Sequence, residues 1–517
     1  MNGTFDPSYI ASLELSDFES LTKFQRDQYY PDKYIKAYEE GIDYDYNQED
    51  ELILSTFALT IRKISLCTDI LSKMEVISGN SGEYKYLFNK KMHYWLYSYL
   101  IDIYPEAKLI PEVKDLVEIA WVHNLAHNRI NYFNFLIDDR VVQTITNTWL
   151  DIFAQYFITN DKRELYRKNI GDFEYNGGWG NSLKSIKTKL PLPFFNQFER
   201  SHALPMFLCS LSKIECKASF RTSLTQLIKM RKRNTADSDW KECKVVPNVI
   251  QNPDKILSPP EMWSYYSAIT KSEVDWFKEM TVSTDIQNNI SNNQDIKPVK
   301  NGPRQMYIND IITISPDILY SSVAGQTNTA IIPLNSFGIT KAIFWVLQNQ
   351  DGLIYNNYSN YTTNSLNIKE GSNPVEKVSL KYGEIKRLDT VDICHFEDMV
   401  SYYRFPSNPF EKGYSVYSFS PNSIDQNCDI GIVFNDNKAN LILNLAENID
   451  DSYNYNIEVS DESLSPLQKY FKSKKSSKKI SKPKYKAYVF LMIMKKLSFQ
   501  DNEKVKIDDG NEKAKYE

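Results

Sequence analysis

Five histidines, six cysteines and a few paired carboxylates hold whatever metal, nucleophilic or acid–base chemistry this 517-residue chain could carry. His123 and His127 stand four residues apart, a spacing that lets two imidazoles on one helix face share a metal ion. The pattern from Ala120 to Ile130 predicts a strand instead, which would hold them roughly 13 Å apart, too far for one ion. The stretch also lacks the glutamate of HExxH, and with it a general base. Asp138-Asp139 and Glu397-Asp398 are adjacent pairs, which a strand would point to opposite faces. Ordinary turn and surface charges explain them better. Gly171, Gly177, Gly178 and Gly180 crowd around Trp179, marking a loop that needs positive φ. It could imitate a phosphate loop, but no Lys-Ser/Thr pair or strand–loop–helix context accompanies it. No GxSxG elbow, Walker A motif or GxGxxG fingerprint occurs elsewhere. The sequence therefore predicts a protein that is not an enzyme, with no catalytic, cofactor-binding or metal residues and no cofactor.

The elements around these residues are strand-rich. Hydrophobic residues make up 42% of the chain and aromatics 13%, enough for packed cores in two to four domains. A net charge of −5 with 25% charged residues suggests neither a disordered chain nor a strong nucleic-acid binder. Cys67, Cys209, Cys216, Cys243, Cys394 and Cys428 form no CxxC pair and no zinc or disulfide framework, so buried free thiols in a reducing compartment are expected. The N-terminus lacks the basic and apolar regions of a signal peptide. The apolar run from Ala487 to Met494 is too short to span a bilayer. A soluble chain made in the cytosol is the expectation.

Taken in order, residues 1–48 read as a polar, tyrosine-rich arm with one or two short amphipathic helices around Phe18, Leu21 and Phe24, and around Tyr34, Ile35 and Tyr38. Residues 49–235 form a first strand-rich unit. Within it, Ile145, Trp149, Ile152, Phe153 and Tyr156 recur at helical spacing and predict an amphipathic helix against a sheet. Ile214, Cys216, Ala218 and Phe220 alternate with polar residues, the mark of a strand with one buried face. Residues 236–302 read as a connection, with a helix starting at Ser258 that carries Trp263, Tyr266 and Ile269, then an Asn-rich stretch. Residues 303–508 form a second strand-rich unit holding the buried strand from Ile339 to Gln348 and a polar, exposed loop from Tyr355 to Asn367. The lysine run between Lys472 and Lys486 reads as a solvated loop, or as a surface for an anionic partner. Residues 509–517 are a tail.

Two blocks carry a more specific signal. Leu190-Pro-Leu-Pro-Phe-Phe195, a polar segment, then Ala203-Leu-Pro-Met-Phe-Leu208 and the alternating strand resemble the first jelly roll of the major capsid proteins of large eukaryotic DNA viruses. That family's pattern runs roughly Leu-Pro-Phe-Trp-Phe, a turn, Ala-Leu-Pro-Leu, then a strand. The order of Trp121-Val122, Ile137-Asp138, Trp149-Leu150, Tyr166 and Ile170-Gly171 ahead of the block also follows it. In the second unit the similar positions are Lys341, Trp345 and Gln348, then Pro409, Gly413, Tyr417, Ser418, Phe419 and Pro421. The chain departs from the pattern at Asn196, at Gln426-Asn-Cys-Asp429 and at Val433-Phe-Asn435, which marks a divergent member.

The resemblance implies an all-β protein of two tandem antiparallel eight-stranded jelly rolls with a few inserted helices. It implies a homotrimeric capsomer tiling an icosahedral virion capsid, assembled in the host cytoplasm. Partners would be other copies of the chain, minor capsid proteins and an inner membrane layer, with no specific nucleic acid. A transient scaffold shaping an immature virion membrane, or a minor capsid component, would use the same fold. From another class, a carbohydrate-binding jelly roll would need exposed aromatics beside paired carboxylates or a calcium site. The sequence shows no such arrangement. The sequon Asn357-Tyr-Ser359 would not meet the secretory glycosylation machinery in a cytosolic protein.

Overall fold

The computed structural model describes residues 69–79, 82–91, 93–196, 202–233, 238–253, 255–269, 304–318, 328–336, 338–424, 430–434, 439–446, 485–499 and 505–508. The N-terminal arm, the Asn-rich stretch and most of the lysine run lie outside these residues, as do most of the strands expected between Leu52 and Val76. In the first unit the elements run β1 (Asp69–Lys73), β2 (Glu75–Ser78), β3 (Glu83–Leu87), β4 (His93–Tyr104), β5 (Val117–Trp121), α1 (Leu125–Arg129), β6 (Ile130–Ile137), β7 (Arg140–Thr146), α2 (Asn147–Tyr156), α3 (Asn160–Ile170), β8 (Ile186–Leu192), β9 (Leu204–Pro205), β10 (Ile214–Phe220), β11 (Ile228–Lys232), β12 (Lys241–Cys243) and β13 (Glu261–Ala268). The second unit follows as β14 (Arg304–Ile314), β15 (Thr329–Leu334), β16 (Ile339–Asn349), β17 (Val375–Tyr382), β18 (Ile385–Asp392), α4 (Val400–Arg404), β19 (Tyr414–Ser418), β20 (Ala439–Leu445), β21 (Tyr485–Phe499) and β22 (Val505–Asp508).

Each unit is built on a pair of facing antiparallel sheets, and the first adds a three-stranded sheet β12-β11-β5. In the first, β1-β13-β4-β8 faces β2-β3-β10-β6-β7; in the second, β14-β21-β16-β19 faces β15-β20-β17-β18. Neighbours far apart in sequence lie side by side, as β13 does between β1 and β4, and this wound order is that of a jelly roll. Alternation sets the faces. Leu96, Ser98, Leu100 and Asp102 of β4 point inward, while Tyr97 and Ile103 point out. Inside the first unit, Trp95 packs 4.8 Å from Phe88 and 4.9 Å from Phe135, centroid to centroid. The expected alternating strand is β10, and both proline-bearing blocks bury their apolar residues here, including Leu190, Phe194, Phe195 and Leu204. In the second unit the odd residues of β16 (Ile343, Trp345, Leu347) face its own core, alongside Val489 and Leu491 of β21.

Short-range chemistry sets the connections. Asp138 and Asp139 both adopt positive φ, 50° and 62°, and form the two-residue turn between β6 and β7. Such turns match strand twist and favour residues that tolerate left-handed backbone. The Thr146 side chain accepts from Trp149 N at 3.2 Å, capping α2. Gly171, at φ 69°, ends α3 in the left-handed conformation.

Two local expectations are corrected. The strand expected across Ala120 to Ile130 stops at Trp121; Asn124 turns left-handed at φ 47° and α1 follows. Buried His127, Asn128 and Arg129 each have side-chain partners inside the fold, so polarity hid a core segment from pattern reading. Glu397 and Asp398 lie on a π-helical turn (His395–Met399) before α4, in keeping with the turn charges expected of that pair. The helix expected from Ser258 is β13, a central strand of the first unit's sheet. Trp263, Tyr266 and Ile269 fit a helical period, yet pairing with β1 and β4 sends Met262, Ser264 and Tyr266 inward and leaves Trp263 and Tyr265 outward. Tertiary pairing outweighs a short local period here. Met262→Asp is expected to cost more than about 4 kcal/mol by placing an unpaired charge in the core. Glu261→Ala, which removes an exposed pair with Lys73, should cost less than about 1 kcal/mol. Chemical denaturation measures both, and equal losses would contradict the strand.

Candidate functional site: the seam between the two units

Helix α2 is the centre of the junction. Every residue from Thr148 to Tyr156 is buried, so the helix is covered all round, not only on the face predicted from its period. Its cover comes from both units. Trp149 packs 5.5 Å from Phe344 and 5.6 Å from Phe490. Tyr156 packs 5.4 Å from Phe344 and 5.6 Å from Phe405. Phe344 and Phe490 belong to the alternate face of β16 and β21, the face turned away from the second unit's own core. One apolar cluster therefore runs through the first unit and across the seam.

A charged residue lies in the middle of this apolar helix. The Asp151 carboxylate accepts from Asn124 Nδ2 at 2.9 Å and from the Tyr361 hydroxyl of the second unit at 2.8 Å. It also sits 2.7 Å from His127 Nδ1, whose Nε2 is 2.9 Å from the Tyr166 hydroxyl. With Nδ1–H donating to the carboxylate, Nε2 accepts from Tyr166 and the buried chain is complete. Gln155, one turn on, accepts from Phe410 N at 2.9 Å through Oε1. Arg163 donates to the Asn408 carbonyl at 2.9 Å and also to Ser407 Oγ. The guanidinium groups of Arg163 and Arg167 each lie 5.0 Å from the Phe410 ring centroid.

The loop from Tyr355 to Asn367, expected to be exposed, is the second unit's main reach into the seam. Asn357, Ser359, Asn360, Tyr361, Thr362 and Asn364 are all buried. Polar composition misled because the polar side chains serve buried backbone. Asn360 Nδ2 donates to the Asn364 carbonyl at 2.6 Å, and Asn357 Nδ2 to the Ser365 carbonyl at 3.1 Å. Asn356 Nδ2 crosses to the first unit and donates to the Thr225 and Ile228 carbonyls, each at 2.8 Å. The Arg221 guanidinium lies 4.1 Å from the Tyr358 ring centroid. Burial also keeps Asn357 of the sequon from any modifying enzyme while the chain is folded.

Residues with chemical potential take structural places. His123 stacks on Phe173 at 4.7 Å and lies 3.9 Å from an Asp172 oxygen, while His127 joins Asp151; the two histidines serve different partners. Among the described residues no group of three or more His, Cys, Asp or Glu is placed to hold a metal. In the glycine-rich loop, Gly177 and Gly178 adopt positive φ and Trp179 lies 4.8 Å from the Arg231 guanidinium. Cys209 and Cys216 are buried free thiols, Cys243 is half-buried and Cys394 is exposed, contrary to uniform burial; Cys67 and Cys428 lie outside the described residues. Burial, with the nearby charges of Asp172 and Asp151, pushes the Glu411 carboxyl up to about 8, against the pull of Arg167. Most of the seam's polar groups tie one unit to the other, while the buried Tyr156 hydroxyl has no hydrogen-bond partner among the described residues.

Two jelly rolls in series, joined by a buried helix, define a double jelly-roll protein. Residues 103–266 match the family described as major capsid protein N-terminus, and residues 296–430 match large eukaryotic DNA virus major capsid protein. The chain is 24% identical to the major capsid protein of Wiseana iridescent virus over 384 residues, covering 70% of this chain and 73% of that one. It is also 24% identical over 400 residues to that of Lymphocystis disease virus 1, covering 72% and 78%. Among solved structures, the PBCV-1 virus capsid superposes with TM-score 0.58 at 12% identity, covering 85% of this chain and 96% of that one. The Faustovirus major capsid protein superposes with TM-score 0.57 at 7% identity, covering 84% and 90%. The chain belongs to the major capsid proteins of large eukaryotic DNA viruses, as a divergent member, and its place is the virion capsid.

Two measurements test the seam. Asp151→Asn keeps the shape but replaces one acceptor oxygen by a donor, and each weakened bond to the former charge should cost about 1.5–3 kcal/mol. Thermal unfolding with circular dichroism reads the loss, and an unchanged midpoint would remove Asp151 from this role. For Glu411, the folded state holds its proton more tightly than the unfolded chain. Stability should therefore fall as pH rises from the ordinary glutamate range through about 8. Glu411→Gln should flatten that slope in denaturation series run between pH 5 and 9.

Proposed function

We propose that three copies of this chain form one capsomer, whose six jelly rolls give a pseudo-sixfold outline suited to hexagonal packing in an icosahedral shell. The observation that carries this reading is the repeat itself. The two units share one sheet order and are locked together by α2, so each chain acts as a rigid pair of similar wedges. Trimer contacts would be aromatic and apolar, and contacts between capsomers more polar. Assembly takes place in the host cytoplasm, with minor capsid proteins and a membrane layer beneath the shell, and involves no catalytic step and no specific nucleic acid. We further propose that residues 1–48 serve as an arm, that the first jelly roll continues past residue 235 to include β13, and that residues 509–517 form a tail.

Light scattering on the purified chain, with negative-stain images of the same peak, tests this. The expected mass is three times the 60.2 kDa of one chain, with a hexagonal outline in projection. A monomer that never assembles, at high concentration or with membranes present, would overturn the capsomer reading.

A further inference from the structure

Two aromatic helical segments hold like places in the two units. In the first, the hairpin β6–β7 leads into α2, and β8 then closes the edge of its sheet. In the second, the hairpin β17–β18 leads into the π turn and α4, and β19 closes the edge of its sheet. Strands β8 and β19 each pair with a long central strand, β4 and β16. Helix α2 is covered on every side because it packs on β6 and β7 of its own unit and on Phe344 and Phe490 of the neighbouring one.

The second unit's segment, His395 to Arg404, also carries apolar residues on both sides, but only one side is covered. Phe396, Val400 and Ser401 are buried. Phe396 packs 5.3 Å from Trp345 in the second unit's own core, and Val400 joins the cluster that crosses the seam. On the other side Met399, Tyr402 and Tyr403 are 50%, 67% and 74% exposed, with exposed His395 one turn earlier. Spacings of three and four place these residues on one helix face. The Tyr402 and Tyr403 rings meet edge to face at 5.0 Å, so they form one continuous ridge. A helix with apolar residues on both sides calls for cover on both. Tyrosine and methionine are also among the residue types enriched in protein interfaces.

We propose that the Met399–Tyr402–Tyr403 ridge is a docking surface for a second copy of the chain. This rests on the capsomer reading and names the part of the second unit that meets the next copy. The occupant follows from α2. In the first unit the helix after the hairpin takes a neighbouring jelly roll as its cover, and a second copy offers a jelly roll of the same kind. The ridge is also continuous with an interface that already exists: Val400, and Phe405 just beyond α4, belong to the cluster joining the two units. Because α2 meets a sheet and not another helix, the ridge is expected to meet a sheet of the next copy. Such a contact is heterologous and passes from copy to copy until the ring closes.

The test uses the full chain with Tyr403→Glu, with Tyr402→Glu, and with Leu211→Glu as an exposed control on the first unit. Light scattering should show the wild type and the control as oligomers and both ridge variants as monomers at the same concentration. Circular dichroism checks that each variant is folded, which the exposure of both tyrosines favours. A second measurement places the photo-crosslinking residue p-benzoylphenylalanine at position 403 of the otherwise unchanged chain. In a mixture of isotope-labelled and unlabelled copies, mass spectrometry should find it joined to a sheet strand of another copy. Ridge variants that assemble as the wild type does would overturn the assignment while leaving the capsomer intact. So would crosslinks confined to the same chain, which would show the ridge covered from within, or crosslinks from ridge to ridge. A wild type that is monomeric throughout would sink the capsomer reading itself, and this one with it.

Discussion

The burial of α2 between two sheets is the constraint on which the rest depends. A helix covered on every side cannot expose its polar groups to water, so each needs a protein partner. Aromatic side chains supply most of the driving force, since burying one removes about 150–250 Å² from water. At about 25 cal/mol per Å² that is roughly 4–6 kcal/mol each before conformational entropy is subtracted. Trp149 and Tyr156 do this against side chains of the other unit, so the same contacts that stabilise the helix also join the units.

Asp151 shows why the junction has one geometry. Apolar side chains tolerate small slides, whereas a buried carboxylate tolerates none that leaves it without donors. Its donors come from α1, from the segment ahead of α1 and from the second unit's loop. Any rotation of one unit against the other would break that set. A shell component must present its two halves at a constant angle to every neighbour, and a satisfied buried charge is a means of holding that angle.

The asparagine-rich loop works by the same logic. Its side chains satisfy backbone groups that a buried irregular segment would otherwise leave unpaired. Gly413 matters here for a specific reason: at φ 92°, a Cβ on it would lie 2.2 Å from the Tyr361 carbonyl oxygen. The close approach of these two segments holds Tyr361 where it reaches Asp151.

Much of this was legible from the residues. Alternation in Ile214 to Phe220, the helical period from Ile145 to Tyr156 and the paired proline blocks each encode local structure, because which face is apolar depends only on nearby spacing. The order of those motifs pointed to two jelly rolls in series. What spacing could not decide was what each face meets. Residues 261–268 fit a helical period and became a central strand because β1 and β4 supply its hydrogen bonds. His127, Asn128 and Arg129 read as polar and became core because their partners lie far away in sequence. An aspartate amid the apolar residues of α2 was the one signal in the sequence that something must come to meet it. That the partner is Tyr361, 210 residues away, is a fact of tertiary structure alone, because hydrogen-bond complementarity between distant segments exists only once the chain has brought them together.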